Sequence, residues 1–223
     1  MGETVLSVLK LPAGTDVAEM ALFDVDAIPD LDLLDSEAID QIAKTDRLIR
    51  FQTGGDGGYL LHLFLNESVP VEIKEFCIDD DVKTGTYRQV GSLIAFGGLE
   101  SAHKKFIPNQ FIRSDSAFAP GEYKFTAYRT EIPNDIVTAK IESALSQHEK
   151  RLMKVPVVIV LFGIILAMVA IGFGKPLMAA FVVLTGYVLV RKITKSLVYK
   201  KIKNKLREAQ IDLPSMVVEM WSV

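Results

Sequence analysis

The most apolar part of the chain runs from Val155 to Val190, where Lys175 is the only charged residue. An apolar run of about 18 residues or more is typical of a membrane-spanning helix, and this one is long enough for two helices. The sequence therefore predicts spans at Val155 to Phe173 and Leu177 to Val190, joined by Gly174, Lys175 and Pro176. Such a hairpin either crosses the bilayer fully or re-enters by one face.

Helical periodicity continues on both sides of this hairpin. From Pro133, apolar residues recur at spacings of three and four, which predicts an amphipathic helix that leads to the membrane and kinks at Pro156. Asn134 or Asp135 would cap it. After the hairpin, 192–209 is predicted as a basic amphipathic helix that lies on lipid or, as we prefer, pairs with the first one. The final segment, 214–221, is expected to form an edge strand or to place Trp221 in the lipid interface.

The N-terminal part shows short apolar and β-branched runs separated by Gly, Pro and Asp turns, which predicts a mainly β soluble domain, an antiparallel sandwich or barrel. One helix is predicted at 34–44, with Asp35 or Ser36 as its cap and Ile39, Ile42 and Ala43 facing inward. The predicted strands are 4–11, 17–25, 47–53, 59–65, 71–78, 86–96, 111–114 and 123–132.

These patterns divide the chain into four segments. We expect an acidic β-rich domain at 1–132 and a membrane-proximal amphipathic helix at 133–154. The two-helix transmembrane hairpin follows at 155–190, and a basic helix with a C-terminal tail occupies 191–223.

Charge is distributed unevenly along the chain. Residues 1–147 hold 24 Asp and Glu against 13 Lys and Arg, whereas residues 148–223 hold 4 against 12. By the positive-inside rule, the basic flanks of the hairpin place both termini in the cytoplasm, beside an anionic leaflet. Met1 to Lys10 lacks a signal-peptide pattern, and the lone Cys77 fits a reducing compartment. A bacterial inner membrane is the expected location.

The acidic domain excludes some partners and favours others. Nucleic acid binding requires neutralisation of phosphates, so a strongly acidic domain does not favour it. A basic protein partner would be attracted, because complementary charge speeds encounter. The alternative is that the acidity only keeps the domain soluble.

Two segments of this domain are candidate binding sites. The first is a series of carboxylates, whose spacing does not match the EF-hand calcium loop and which lacks that loop's central Gly and final Glu. It comprises Asp24, Asp26, Asp30, Asp32 and Asp35. The second is a glycine-rich loop, which could cradle an anion but is more typical of a tight hairpin turn. It comprises Gly54, Gly55, Asp56, Gly57 and Gly58.

Small residues within the two spans are candidates for helix packing. They are Gly163, Ala167, Ala170, Ala180 and Gly186. We expect them to pack the two spans against each other, whereas self-association into a homo-oligomer is the alternative. The spans contain no Asp, Glu, His or Arg, which argues against a charged transport pathway.

Catalytic and cofactor signals are weak. The histidines are far apart and the pattern of a zinc site is missing, so no metal or cofactor is expected. Ser101, His103 and Asp115 are the only loosely clustered residues that could serve a hydrolase, and they lack a nucleophile-elbow motif. We expect the protein not to be an enzyme.

Three functions fit these patterns. The first is a membrane-anchored cytoplasmic binding protein, such as an immunity-type neutraliser or a scaffold for a protein partner. The second is a two-span effector whose β domain senses a ligand and whose hairpin oligomerises to disrupt the membrane. The third is a membrane-anchored hydrolase.

Overall fold

The computed structural model describes residues 8–29, 36–103, 106–109 and 111–223. The chain divides into a β unit, Met1–Ile132 with Leu213–Val223, and a helical unit, Pro133–Asp212. The end of the chain therefore belongs to the β unit, whereas the sequence pattern had grouped it with the basic helix.

The β unit contains two sheets. Its strands are β1 Val8–Thr15, β2 Glu19–Asp24, β3 Leu48–Gln52, β4 Gly57–Leu65, β5 Lys83–Gln89, β6 Leu93–Gly98, β7 Arg113–Ala117, β8 Gly121–Arg129 and β9 Met216–Ser222. The larger sheet has the order β1-β4-β9-β8-β5 and the smaller one β3-β2-β6-β7. Among the described strands, β4 and β9 pair in parallel and the other neighbours pair antiparallel. The predicted β-rich domain is confirmed, but its larger sheet is mixed, whereas the described strands of the smaller sheet pair antiparallel as expected.

The two sheets share one core. Leu22 and Phe96 of the smaller sheet belong to the same buried cluster as Leu61 and Val218 of the larger one. This arrangement is a sandwich, because side chains from two facing sheets fill the space between them. The outer face of the smaller sheet is covered by α1, Ser36–Lys44. The predicted inward face of that helix is confirmed by the burial of Ile39 and Ile42.

The last strand lies in the middle of its sheet. β9 pairs with β4 on one side and with β8 on the other, so it is not the predicted edge strand. Val218 faces the inter-sheet core, and Val217 is buried in a second cluster on the outer face. A strand that is covered on both faces has a nearly continuous apolar sequence, which explains the run Met216 to Met220.

Two further strand predictions are wrong in detail. The segment 71–78 begins as a short helix, α2 Val71–Lys74, after Pro70 at its N-cap. Proline suits such a start because its fixed φ fits the edge of a helix. The predicted strand 86–96 is two strands, β5 and β6, separated by a turn.

The helical unit consists of α3 Asn134–Ala144, α4 Gln147–Gly172, α5 Pro176–Lys195 and α6 Leu197–Ile211. α4 packs along α5, and α3 packs along α6, which confirms the predicted pairing of the basic helix. The turn of the hairpin is a Schellman motif, with Gly174 at φ +68° and a hydrogen bond from the Lys175 N–H to the Ala170 carbonyl. Pro176 then occupies the first turn of α5.

Serine residues interrupt the two amphipathic helices that the periodicity predicted on either side of the hairpin. The Ser146 hydroxyl accepts a hydrogen bond from the Glu149 N–H, and the Glu149 carboxylate accepts one from the Ser146 N–H. This capping box starts α4, so the break lies at Ser146 and not at Pro156, which is inside α4. Ser196 ends α5 and caps α6 in a similar way through the Tyr199 N–H. The N-cap of α3 is Pro133, and neither Asn134 nor Asp135 takes that position.

Candidate functional site

The two longest helices remain almost completely exposed. In the most apolar windows of α4 and α5, 11% and 6% of the residues are buried. Phe162, Phe181 and Leu184 are all at least 60% exposed. By length and composition, each of the two helices is able to cross a membrane.

The small residues of the hairpin divide into two groups. Ala167 and Ala170 are buried with Ala179 near the turn, and an added Cβ at Gly186 would lie 4.0 Å from Ile159 Cγ2. At these positions small residues lie in the packing between the two helices. Ala180 is exposed, and an added Cβ at Gly163 would meet no atom within 4 Å. Gly163 and Ala180 thus do not contribute to the packing within the hairpin.

Asp24 has a structural environment that excludes the predicted binding role. It is fully buried at the end of β2. Its carboxylate accepts hydrogen bonds from the Arg47 guanidinium and from the backbone N–H groups of Asp26, Val90 and Gly91. Burial by itself would raise the pKa of Asp24, but these hydrogen bonds outweigh it, so the pKa lies below its usual value. An external partner therefore cannot reach this carboxylate.

The rest of the carboxylate series is only partly described. Asp26 is exposed at the surface. Asp30, Asp32 and Asp35 lie outside the described residues.

Two buried polar residues that the sequence reasoning missed support Asp24. Gln89 Nε2 lies 3.3 Å from the Asp24 carboxylate, and the Tyr87 hydroxyl donates to Gln89 Oε1 at 2.8 Å. Both side chains are at most 2% exposed. Alternation within β5 was a signal for an inward-facing Tyr87 and Gln89, since residues two apart share a face.

The glycine-rich loop is a crossing between sheets and not the favoured hairpin turn. It connects β3 of the smaller sheet to β4 of the larger one. Gly54 and Gly57 have φ values of +72° and +148°, which only glycine adopts easily. The Tyr59 hydroxyl donates to the Gly55 carbonyl at 2.7 Å and holds the loop against β4. Asp56 is exposed at the tip of the loop, and Gly58 pairs with Gly14.

A cavity of about 170 Å³ borders this loop. Glu100 contributes its carboxylate to the cavity wall, where it accepts hydrogen bonds from the Thr15 hydroxyl and the Asp16 N–H. A bound anion would meet this negative charge, so the geometry does not favour the alternative interpretation of the loop as an anion cradle.

Ser101, His103 and Asp115 are brought together by Arg113, which sequence reasoning also missed. Arg113 is 2% exposed and donates to both oxygens of Asp115, at 2.7 and 2.8 Å. It also donates to the carbonyls of Ser101 and His103. The Ser101 hydroxyl is buried and donates to the Gly98 carbonyl. The Ser101 hydroxyl and the Asp115 carboxylate therefore both stabilise the loop after β6. In this arrangement the hydroxyl is not placed as a nucleophile, and the carboxylate is not placed to orient a histidine.

The segment between β4 and β5 presents a cluster of exposed negative charge on the β unit. From Glu67 to Asp81 it holds six carboxylates and one lysine, and that lysine lies over the Tyr128 ring at 3.4 Å. We call the exposed carboxylates of this segment the acidic strip: Glu67, Glu72, Glu75, Asp79 and Asp80. Val69 and Ile73 of the same segment pack against the larger sheet, which anchors the segment to the β unit.

Within the described part of the chain, no group of three or more His, Cys, Asp or Glu side chains is arranged to hold a metal ion.

Neither a protein family model nor a curated protein sequence matches the chain. Two solved structures resemble part of it at 14% identity. One is crocagin biosynthetic gene J, with a TM-score of 0.38, covering 56% of this chain and 76% of that one. The other is ComJ from Bacillus subtilis, inhibitor of the DNA degrading activity of NucA, with a TM-score of 0.34, covering 55% and 81%. Both TM-scores are below 0.5, so these likenesses carry no inference about the function of this chain.

Proposed function

We propose that the protein is a membrane-anchored binding protein whose hairpin inserts into a bilayer and whose β unit captures a basic protein partner. The observation that carries this proposal is the exposure of α4 and α5 along almost their whole apolar length. Exposed large apolar side chains follow one another from Val157 to Leu189. Burying one such side chain contributes about 1.5–3 kcal/mol, so insertion of the hairpin into lipid is strongly favoured over exposure to water.

The charges around the hairpin support an orientation. Lys150, Arg151 and Lys154 precede the apolar part of α4, and Arg191 and Lys192 follow that of α5. The turn carries Lys175 alone. By the positive-inside rule, the ends of the hairpin, and with them the β unit, are on the cytoplasmic side.

The acidic strip supports the choice of partner. An anionic leaflet repels it, so the strip is suited to face the cytoplasm and attract a basic surface. A neutraliser of a basic toxin and a scaffold for a basic subunit both require such a surface, and neither requires catalytic residues. We favour the neutraliser, because capture at the membrane needs a tether and a steering charge and little else.

The test is capture of the partner by crosslinking in native cells, followed by binding measurements with purified full-length variants. Glu72→Gln, Glu75→Gln and Asp80→Asn together remove three charges from the acidic strip without changing side-chain size. We expect this variant to bind the captured partner about tenfold more slowly in low salt, with the difference shrinking as salt rises.

The matched control removes three exposed charges elsewhere on the β unit through Glu37→Gln, Asp56→Asn and Glu122→Gln. Its association rate should stay within about twofold of the unmodified protein if the strip is the binding surface. Equal slowing in both variants would show that only net charge matters. Unchanged binding in both would contradict the proposed role of acidity.

A further inference from the structure

An open groove of about 420 Å³ lies where α5 ends and α6 begins. Six residues line it, all from the end of α5 and the joint to α6: Tyr187, Val188, Arg191, Lys192, Lys195 and Ser196. The residues from α5 follow the spacing of a single helix face, since neighbours on a helix surface are three or four apart. The groove therefore runs along one side of α5 toward its C-terminal end.

The groove is apolar in one half and cationic in the other. Tyr187 and Val188 are 61% and 43% exposed and belong to the apolar stretch that we propose to insert into lipid. Arg191, Lys192 and Lys195 follow one and two turns later, at the boundary between this stretch and water. Because Gly186 faces Ile159, this boundary is level with Lys154, where the apolar stretch of α4 begins.

The three cations of the groove lack a counter-ion among the residues that the structure describes. None of them forms an ion pair with a residue that the structure describes, although Lys140, Lys150 and Lys205 of the same unit each pair with a carboxylate. No Asp or Glu occurs anywhere from Lys150 to Arg207. A ligand that brings its own negative charge would satisfy these groups.

Ser196 maintains the shape of the groove. Its hydroxyl donates to the Ile193 carbonyl at 2.7 Å and accepts from the Tyr199 N–H at 3.2 Å. These bonds end α5 and start α6, so the two helices do not continue as one rod that would flatten the groove.

We infer that this groove binds one anionic phospholipid, with its phosphate among Arg191, Lys192 and Lys195 and an acyl chain along Tyr187 and Val188. The inference rests on the proposed insertion of the hairpin. A free phosphate would use only the cationic half, whereas a lipid fills both halves at the depth where its headgroup naturally lies. The site differs from general attraction to an anionic leaflet because it retains a lipid after the membrane is dissolved.

The experiment reconstitutes the full chain into vesicles that contain phosphatidylcholine and phosphatidylglycerol, releases it with mild detergent, and measures retained lipid by native mass spectrometry. We expect one phosphatidylglycerol per chain and no retained phosphatidylcholine. The triple variant Arg191→Gln, Lys192→Gln and Lys195→Gln should retain about tenfold less phosphatidylglycerol.

The matched control is Lys200→Gln, Lys201→Gln and Lys203→Gln, which removes the same charge from exposed positions of α6 outside the groove. It should retain the lipid as the unmodified chain does. Equal loss in both variants, retention of phosphatidylcholine at the same level, or displacement of the lipid by inorganic phosphate would each overturn the inference.

An alkaline wash of the vesicles before detergent separates this inference from the proposed function. If all three proteins stay with the membrane but show no lipid preference, the groove inference alone is wrong. If the unmodified chain is washed off, anchoring fails and the groove inference fails with it.

Discussion

The Asp24 carboxylate joins three parts of the β unit. It stands at the end of β2, receives the side chain of Arg47 before β3, and accepts the backbone N–H groups of Val90 and Gly91 between β5 and β6. Strands β2, β3 and β6 belong to the smaller sheet and β5 to the larger one. This one buried charge therefore links the two sheets.

Replacing Asp24 with Asn should destabilise the β unit by about 3 kcal/mol, because Arg47 loses its partner while its guanidinium remains three-quarters buried. Thermal unfolding of the detergent-solubilised full chain, followed by the circular dichroism of the strands, measures this. The control Asp56→Asn in the glycine-rich loop should leave the unfolding temperature nearly unchanged.

The effect of Asp24→Asn on stability has a defined pH dependence. Because folding lowers the pKa of Asp24, its charge stabilises the fold fully above the unfolded value of about 3.9. As pH falls below that value and through the lower folded pKa, this stabilisation is lost. The gap in unfolding temperature between the unmodified chain and Asp24→Asn should thus be constant near neutrality and narrow in acid. A gap that persists unchanged below the folded pKa would contradict the assignment.

The residue types of a candidate site can be read from the sequence, but the surroundings of each side chain cannot. Asp24 and Asp26 look equivalent in the sequence, yet one is buried and the other exposed. Arg113 could not be found, because its partners lie in the loop after β6 as well as in its own strand. Burial of a charge depends on contacts that are distant in the chain, which a local pattern does not contain.

Among the elements, β9 has the largest consequence for folding. The larger sheet cannot be completed until the chain has passed through the helical unit and returned. The partners of β9 in this sheet are distant in sequence, so we expect β9 to join the sheet late during folding. Alternation and apolar runs predicted strands well, but sheet membership depends on the partner strand, which local periodicity does not specify.

Shortening a side chain of β9 tests its central position. Met220 is fully buried between β4 and β8, so Met220→Ala should cost about 2–5 kcal/mol through lost contacts and a cavity. Leu93→Ala is the control, since Leu93 is a large apolar strand residue that is 41% exposed. A similar, small decrease in unfolding temperature for both variants would be expected of an edge strand and not of a central one.

The helix boundaries were only partly readable from the sequence. Ser146 followed by Glu149 is the spacing of a capping box, so the start of α4 had a recognisable signal. Ser196 lacks an acidic residue three positions later, and its cap became visible only in the structure. The apolar stretch of the hairpin was the strongest signal of all, because length and composition alone define it.

Over the whole molecule, charge and hydropathy both change at the boundary between the β unit and the helical unit. The β unit carries most of the carboxylates, and the helical unit carries the apolar hairpin and an acid-free stretch of basic residues. The proposed insertion of the hairpin would explain both, because the basic residues would then face anionic headgroups while the acidic unit stayed in water. The proposed capture of a basic partner depends on this separation.

The central claim is that the hairpin crosses a membrane with the β unit on the cytoplasmic side. Its most direct test is cysteine labelling of the full chain, with Cys77→Ser as background and a single cysteine at Lys175→Cys in the turn or Lys203→Cys in α6. We predict that both proteins resist alkaline extraction from membranes. A membrane-impermeant maleimide should label the turn in intact cells and the α6 position only after permeabilisation. Recovery of the protein in the soluble fraction, or labelling of the α6 position from outside, would contradict the account.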